Sequence, residues 1–221
     1  MKILPNGIAV IEGDTHLSKW VEESGRLDIA EQMLLPFRKY IPVGGRVLDI
    51  GANIGDHTAT YSKWVGEEGA VYAFEPNPVA YECLCHNFSS SKNVFPSSCA
   101  LSSVSGRSSF VMSDNVGASF LSGNTGTVSL RRLDEYRILS IDFMKIDVEG
   151  FETNVLRGAK ATIQNTRPVM LIEVNAAALE RAGSSSSELL SLISSYGYSA
   201  EITDPKLTLS SPQFDIICLP E

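Results

Sequence analysis

From residue 46 onward, apolar runs of strand length alternate with stretches of helical spacing. This alternation constrains the fold more than any other feature. Val47-Leu48-Asp49-Ile50, Ala70-Val71-Tyr72-Ala73-Phe74, residues 141–146, residues 169–174, residues 198–202 and residues 215–219 read as strands. Helical stretches are predicted over 57–65, over the segment opened by Asn77-Pro78, over about 152–165, and from the capping sequence Ser185-Ser186-Ser187-Glu188 to 195. Strands separated by such helices return by right-handed crossovers to parallel neighbours. The expectation is a single α/β body of Rossmann-like type, with a mostly parallel sheet and helices on both faces.

Two stretches fall outside the alternation. The chain opens with a predicted hairpin, Lys2-Ile3-Leu4 against Ile8-Ala9-Val10-Ile11, turned by Pro5-Asn6-Gly7. Residues 14–41 then read as helical, with Asp14 or Thr15 as N-cap, an apolar stripe of Ile29, Met33, Phe37 and Tyr40, and a break or kink at Pro36. Residues 113–127, rich in Ser, Gly and Asn, read as a long loop of the kind that is often functional.

Composition narrows the class. The 221 residues carry a net charge of −8 with no dense basic run, which argues against nucleic acid or anionic lipid as partner. At 43% apolar the chain has enough hydrophobic content for a packed core. Its uncharged stretches are too short to span a bilayer, and Pro5, Asn6 and Gly7 interrupt what would be a signal peptide's apolar region, so a soluble cytoplasmic protein is expected. Cys83, Cys85, Cys99 and Cys218 match no zinc spacing and are expected to be plain thiols.

The segment after the first long strand carries the chemistry. Asp49 is followed by Gly51-Ala52-Asn53-Ile54-Gly55, a glycine turn in which backbone can approach a ligand, and the next helix aims its first amides at the same place. Glu75 ends the following strand, where doubly wound folds set a carboxylate on the ribose hydroxyls of an adenosine cofactor. Asn53 stands where a dinucleotide fingerprint needs its second glycine, so a cofactor without pyrophosphate fits better.

DIGANIGDHT, AFEPNP, KIDVEGFETNVLRGA and RPVMLIEV, in that order over roughly 43–198, resemble the FkbM family of S-adenosylmethionine-dependent methyltransferases. The resemblance implies the class I methyltransferase fold, a seven-stranded sheet with one antiparallel strand, and O-methylation of sugars, polyketides or similar acceptors. It places Gly51, Ala52, Asn53 and Gly55 around the methionine part of the cofactor, with Asp49 supporting that loop. It gives the ribose to Glu75, and the adenine wall to Pro76 and to Cys99, Ala100 and Leu101. Asn115-Val116-Gly117-Ala118-Ser119 is similar to a further family segment. Residues 1–42 are then expected to cap the site and 43–221 to form the methyltransferase domain.

Lys145, Asp147 and Glu149 alternate with Ile146 and Val148, so extended geometry sets all three on one side where the fourth strand ends. Asp147 or Glu149 is the expected base or acceptor-orienting group, with Lys145 setting the local charge and Glu152 in the next helix's first turn. A rival arrangement uses Asp147, Glu173 and Asn175 to hold Mg²⁺ or Mn²⁺, as in catechol-type enzymes, and lowers the acceptor's pKa by metal coordination. The metal-free version is preferred. His57 is a candidate for cofactor or substrate contact, His16 and Trp20 for the acceptor mouth, and His86 for a solvated helix face. An RNA ribose 2′-O-methyltransferase and a catalytically silent cofactor-binding domain are the other readings.

Overall fold

The computed structural model describes residues 1–111, 120–122 and 126–221. The N-terminal hairpin forms as expected, β1 Lys2–Ile3 antiparallel to β2 Ala9–Val10. The predicted helical stretch breaks up into α1 Leu17–Ser24, α2 Glu31–Leu34 and a 3₁₀ segment Leu35–Tyr40. Gly25, left-handed at φ 66°, ends α1, and Pro36 enters the first turn of the 3₁₀ segment rather than kinking one long helix. The stripe is therefore not one face: Ile29 packs towards the hairpin, Phe37 and Tyr40 pack on the main sheet, and Met33 stays 57% exposed. Asp14 serves the start of α1 from just outside, accepting the Ser18 amide at 2.8 Å.

The remaining elements follow in order. They are β3 Arg46–Ile50, α3 Asp56–Val65, β4 Ala70–Phe74, α4 Pro78–Asn87, β5 Val94–Ser97, β6 Ala100–Leu101, β7 Gly106–Val111, β8 Phe120–Ser122, β9 Val128–Arg131, β10 Phe143–Ile146, α5 Glu152–Gly158 and α6 Lys160–Thr166. The chain closes with β11 Val169–Asn175, α7 Ala176–Arg181, α8 Ser186–Ser195, β12 Tyr198–Ile202 and β13 Gln213–Pro220. Seven strands make the central sheet in the order β12-β13-β11-β10-β3-β4-β5. Only β13 runs against its neighbours, which gives the expected mostly parallel sheet with one reversed strand. β6, β9, β7 and β8 form a smaller sheet beside it, so residues 120–122 of the stretch read as loop are a strand. The Asn115–Ser119 segment lies outside the described residues.

The two-residue period of the strands sorts their side chains between two cores. Leu48, Ile50, Met144, Ile146, Met170 and Ile172 face α5, α6 and α8, where Val155, Leu156, Ile163, Leu189 and Ile193 meet them. Val47, Phe143, Leu171 and Ile217 face the other way, onto Tyr61, Trp64 and Val65 of α3 and onto Leu34 and Ile41. Odd-numbered positions further along the same strands, Asp49, Lys145 and Glu173, therefore share the α3 side at the C-terminal end of the sheet.

Asn87 fastens the N-terminal hairpin to this frame. Its Oδ1 accepts the Ala9 amide at 2.7 Å, and its Nδ2 donates to the carbonyls of Ala9 and Ile54. His86 Nε2 lies 3.0 Å from the Gly7 carbonyl oxygen, so that helix face carries a contact to the hairpin. All four cysteines are free thiols. No described helix is long and apolar enough to cross a membrane.

Asn175 ends β11 and caps α7, its Oδ1 accepting the Ala178 amide at 3.1 Å. Asn175→Ala should cost about 0.5–2 kcal/mol of stability, measured by urea denaturation. An unchanged midpoint would show that the cap is energetically idle.

Candidate active site

The glycine turn is shaped by backbone that few residues tolerate. Gly51 sits at φ 87°, and a Cβ there would lie 1.8 Å from the Asp147 carbonyl oxygen. Gly55 at φ 101° is the N-cap of α3, and a Cβ would meet Phe88 and Leu84. Between them Asn53 is left-handed at φ 49°, an unfavourable state for a residue with a side chain. Glu75 holds it there: one oxygen accepts the Asn53 amide at 2.8 Å and the other the Asn77 amide at 2.7 Å. Glu75 is 6% exposed, and burial pushes its carboxyl up to about 7 against the pull of those two amides.

Beneath the turn runs a buried row of charge. Asp49 and Lys145 are register partners on β3 and β10. Asp49 is fully buried, with one oxygen taking the Thr58 hydroxyl of α3 at 2.5 Å. Its other oxygen has no partner among the described residues. Burial raises its pKa, opposed chiefly by the Lys145 charge. Lys145 Nζ donates to Asp147 Oδ2 at 3.0 Å. Burial works to raise Asp147, but the Lys145 charge and hydrogen bond more than offset it, so its pKa falls. The converse holds at Lys145: burial opposes its charge, yet Asp147 and Asp49 raise its pKa.

Strand β10 stops at Ile146, so Glu149 reaches the site by a turn rather than by strand alternation. Its backbone is left-handed at φ 54° and Gly150 follows at φ 104°. Glu152 fixes this turn, one oxygen accepting the amides of Val148 and Gly150 at 3.1 Å each. Glu152 stands in the first turn of α5, as expected, and its contact there is the backbone that aims Glu149.

The result is a cluster in which oxygens of Asp147, Glu149 and Glu173 lie within 4.8 Å of one another. Burial, then the Asp147 charge, pushes Glu149 up to about 7 and Glu173 up to about 9. Gln213 Nε2 donates to Glu173 Oε1 at 2.6 Å, a neighbour supplied by antiparallel register that no sequence motif signals. Glu149 joins Asp147 and Glu173 of the expected metal set in this cluster, and Asn175, the third residue of that set, accepts the Ala178 amide of α7 with its side-chain oxygen.

One cavity of about 430 Å³ unites these parts. Gly51, Asn53, Glu75, Pro76, Cys99, Ala100 and Leu101 line one end, and Lys145, Asp147, Glu149 and Glu173 line the middle. Asp56 and His57 of α3 lie there too. Leu17, Trp20, Ile29 and Met33 from the N-terminal helices make an apolar wall. Asp49, Ala52 and Gly55 support the cavity without lining it. His16 packs edge-on against Trp20, with ring centroids 6.3 Å apart, and is not itself in the lining. The buried Asn53 Oδ1 has no partner among the described residues, so the glycine-turn end keeps an unmet acceptor.

A reversed strand at this position, a glycine turn after the first long strand and an acidic residue ending the next define the class I methyltransferase fold. Residues 49–200 match the FkbM methyltransferase domain, and the chain belongs to that family. The chain is 29% identical over 163 residues to the hexuronic acid methyltransferase AglP of Haloferax volcanii, covering 70% of this chain and 64% of AglP. Among solved structures, the FkbM methyltransferase of Methylobacillus flagellatus superposes at a TM-score of 0.54 with 19% identity, over 79% of this chain and 43% of that one. A Thermotoga maritima S-adenosylmethionine-dependent O-methyltransferase superposes at 0.56 with 12% identity, over 90% and 69%. The chain thus spans less than two thirds of AglP and under half of the Methylobacillus protein.

The raised carboxyls fix a sign for stability. Glu75, Glu149, Glu152 and Glu173 keep protons in the folded chain that the unfolded chain loses near 4.5, at values of about 7, 7, 7 and 9. The folded state therefore binds more protons between those limits, and stability falls as pH rises through that window. Thermal melts should show a falling midpoint from pH 5 to pH 9, with a shallower slope in Glu173→Gln. A midpoint that rises over this range would contradict the burial of these groups.

Proposed function

We propose that this protein transfers a methyl group from S-adenosylmethionine to a hydroxyl of a sugar or related small molecule. The observation that carries the reading is the union, in one cavity, of a glycine-turn and carboxylate end with a carboxyl cluster and an apolar aromatic wall. The likeness to AglP supports a saccharide acceptor.

The residues present suit the cofactor. Glu75 retains free lone pairs beyond its two amide bonds and can accept from ribose hydroxyls. Pro76, Cys99, Ala100 and Leu101 give an apolar slot for a base beside the glycine turn. When bound, the cofactor supplies an electrophilic methyl group on a sulfonium.

A hydroxyl oxygen attacks such a methyl well only if its proton leaves, whereas a neutral amine needs no base to begin. Asp147 is held ionised by Lys145 and is thereby a weak base, suited to orienting the acceptor through a hydrogen bond. Glu149, near 7, matches the general-base optimum at neutral pH. Glu149 would take the hydroxyl proton on one of its oxygens as the methyl group passes from the cofactor to the acceptor oxygen, the sulfur–methyl bond breaking to leave S-adenosylhomocysteine. Trp20, 55% exposed beside Leu17 and Met33, presents a face on which the C–H side of a pyranose can stack.

Titration calorimetry with S-adenosylhomocysteine should show binding, weakened by about 1–3 kcal/mol in Glu75→Ala through unpaired ligand hydroxyls. With labelled cofactor and a panel of hexuronic acids and neutral sugars, kcat should rise with pH to a plateau above about 7. Glu149→Gln should lower kcat by roughly 10²-fold or more and flatten that profile. Transfer at an undiminished rate by Glu149→Gln would remove the base from this position.

The mutual approach of Asp147, Glu149 and Glu173 favours one second reading. Three carboxylates at this spacing offer hard oxygen ligands to Mg²⁺ or Mn²⁺. The metal-free version is preferred because Lys145 already neutralises Asp147 and Gln213 already engages Glu173. Dialysis against EDTA should leave turnover intact, and loss with rescue by either ion would establish the metal instead.

A further inference from the structure

Beside the candidate active site lies a second cavity, of about 400 Å³, that the chemistry above does not use. Its floor continues the same sheet face. Leu171 of β11 and Ile217 of β13 lie there, with Asp215 towards the first cavity. Phe37, Lys39 and Tyr40 of the 3₁₀ segment form one wall, and Glu201, Thr203 and Asp204 at the end of β12 form the other.

The two cavities meet at two points. Met33 lines both. Asp215, in the second, is the register partner of Glu173, in the first. Directly opposed residues of an antiparallel pair project from the same face. Burial, then the Asp147 charge, raises the Asp215 pKa, which agrees with that proximity.

Resting on the reading of the first cavity as a sugar O-methylation site, we infer that the second cavity binds the neighbouring sugar unit of an extended saccharide, so that the acceptor is an oligosaccharide rather than a single sugar. A pyranose presents C–H faces and a rim of hydroxyls. Its binding site needs ring surfaces alongside separate hydrogen-bonding groups. Phe37 and Tyr40 provide the former; Thr203, Asp204 and Asp215 provide the latter. A wholly apolar guest would desolvate these carboxylates without replacing their water. A phosphate group would meet Glu201, Asp204 and Asp215 against one lysine, Lys39, which sits 4.8 Å over the Tyr40 ring. A hydroxyl-rich unit without phosphate is the guest that both walls accept.

The test uses the whole protein with labelled S-adenosylmethionine and two acceptor series. One is glucuronic acid, its disaccharide with glucose and the corresponding trisaccharide; the other is glucose, cellobiose and cellotriose. In the series whose single sugar is methylated, kcat/KM should rise at least tenfold from one unit to two, mainly through KM. Tyr40→Ala and Asp204→Ala should each erase much of that gain and leave the rate on the single sugar unchanged. Asp204 is exposed, so its variant keeps the test valid if Tyr40→Ala folds poorly. Equal kcat/KM on one and two units in the wild type would overturn the second site alone. So would a gain that survives in both variants. Transfer to no member of either series would overturn the sugar reading of the first cavity and this inference with it.

Discussion

A buried lysine organises this site. Lys145 sits in the middle strand of the sheet with Asp49 beside it and Asp147 above it, and an ammonium so placed is tolerable only because carboxylates flank it. Removing Asp147 would leave the ammonium without its ion-pair partner, and removing the lysine would leave Asp49 and Asp147 without the charge that opposes their desolvation. The row also sets functional states by proximity. Asp147 keeps its charge because Lys145 is hydrogen-bonded to it, and that retained charge is what helps push Glu149 and Glu173 upward. One ammonium thereby divides a carboxyl cluster into an ionised anchor and two groups that hold protons near neutral pH.

Around this row, two carboxylates act on backbone and a third on a side-chain hydroxyl, rather than on each other. Glu75 grips the amides of Asn53 and Asn77, Glu152 grips those of Val148 and Gly150, and Asp49 takes the hydroxyl of Thr58. The first two hold left-handed backbone in place at Asn53 and Glu149, conformations that cost on the order of 1–3 kcal/mol when not over-determined. Strain therefore sits on the two turns that line the cavity, and the buried acids that restrain it are themselves proton-sensitive. Rising pH puts charge on these buried acids at the same place where it ionises Glu149. Fold stability and base strength are set in opposition at this edge of the sheet.

Much of the architecture was legible in the sequence because strand alternation and helix punctuation are local signals. The strand at Ala70–Phe74 and the cap at Asn77 are written in adjacent residues, and so is the Ser185 cap, which accepts the Glu188 amide. What escaped depends on contacts distant in sequence. The 14–41 stretch has helical spacing, yet the hairpin and the sheet pull its apolar residues to different cores. Helix α7 follows β11 without a loop, and Asn175, which stands out by its spacing from Glu173, caps it. Strand alternation predicts Glu149 beside Asp147, but β10 ends at Ile146 and a left-handed turn brings Glu149 there instead. Gln213 and Asp215 enter only through the register of the one reversed strand.

If the cavity methylates sugars as proposed, with Glu149 as base, acceptor charge and metal need are linked there. A hexuronate seated with its carboxylate towards Glu149 and Glu173 would add a negative charge to a cluster that already carries Asp147. At about 4 Å and an effective dielectric near 20, each like-charge pair costs about 4 kcal/mol. Such a pose is open only if a divalent ion stands between the carboxylates or if the cluster keeps its protons. If the cluster keeps them, Glu149 is lost as a base. Without an ion, a hexuronate in that proposed site would have to turn its carboxylate away from the cluster, towards solvent, and offer only hydroxyls to Asp147 and Glu149. A neutral sugar meets no such restriction. Sensitivity to chelation that appears with uronate acceptors and vanishes with neutral ones would then report the orientation of the bound sugar.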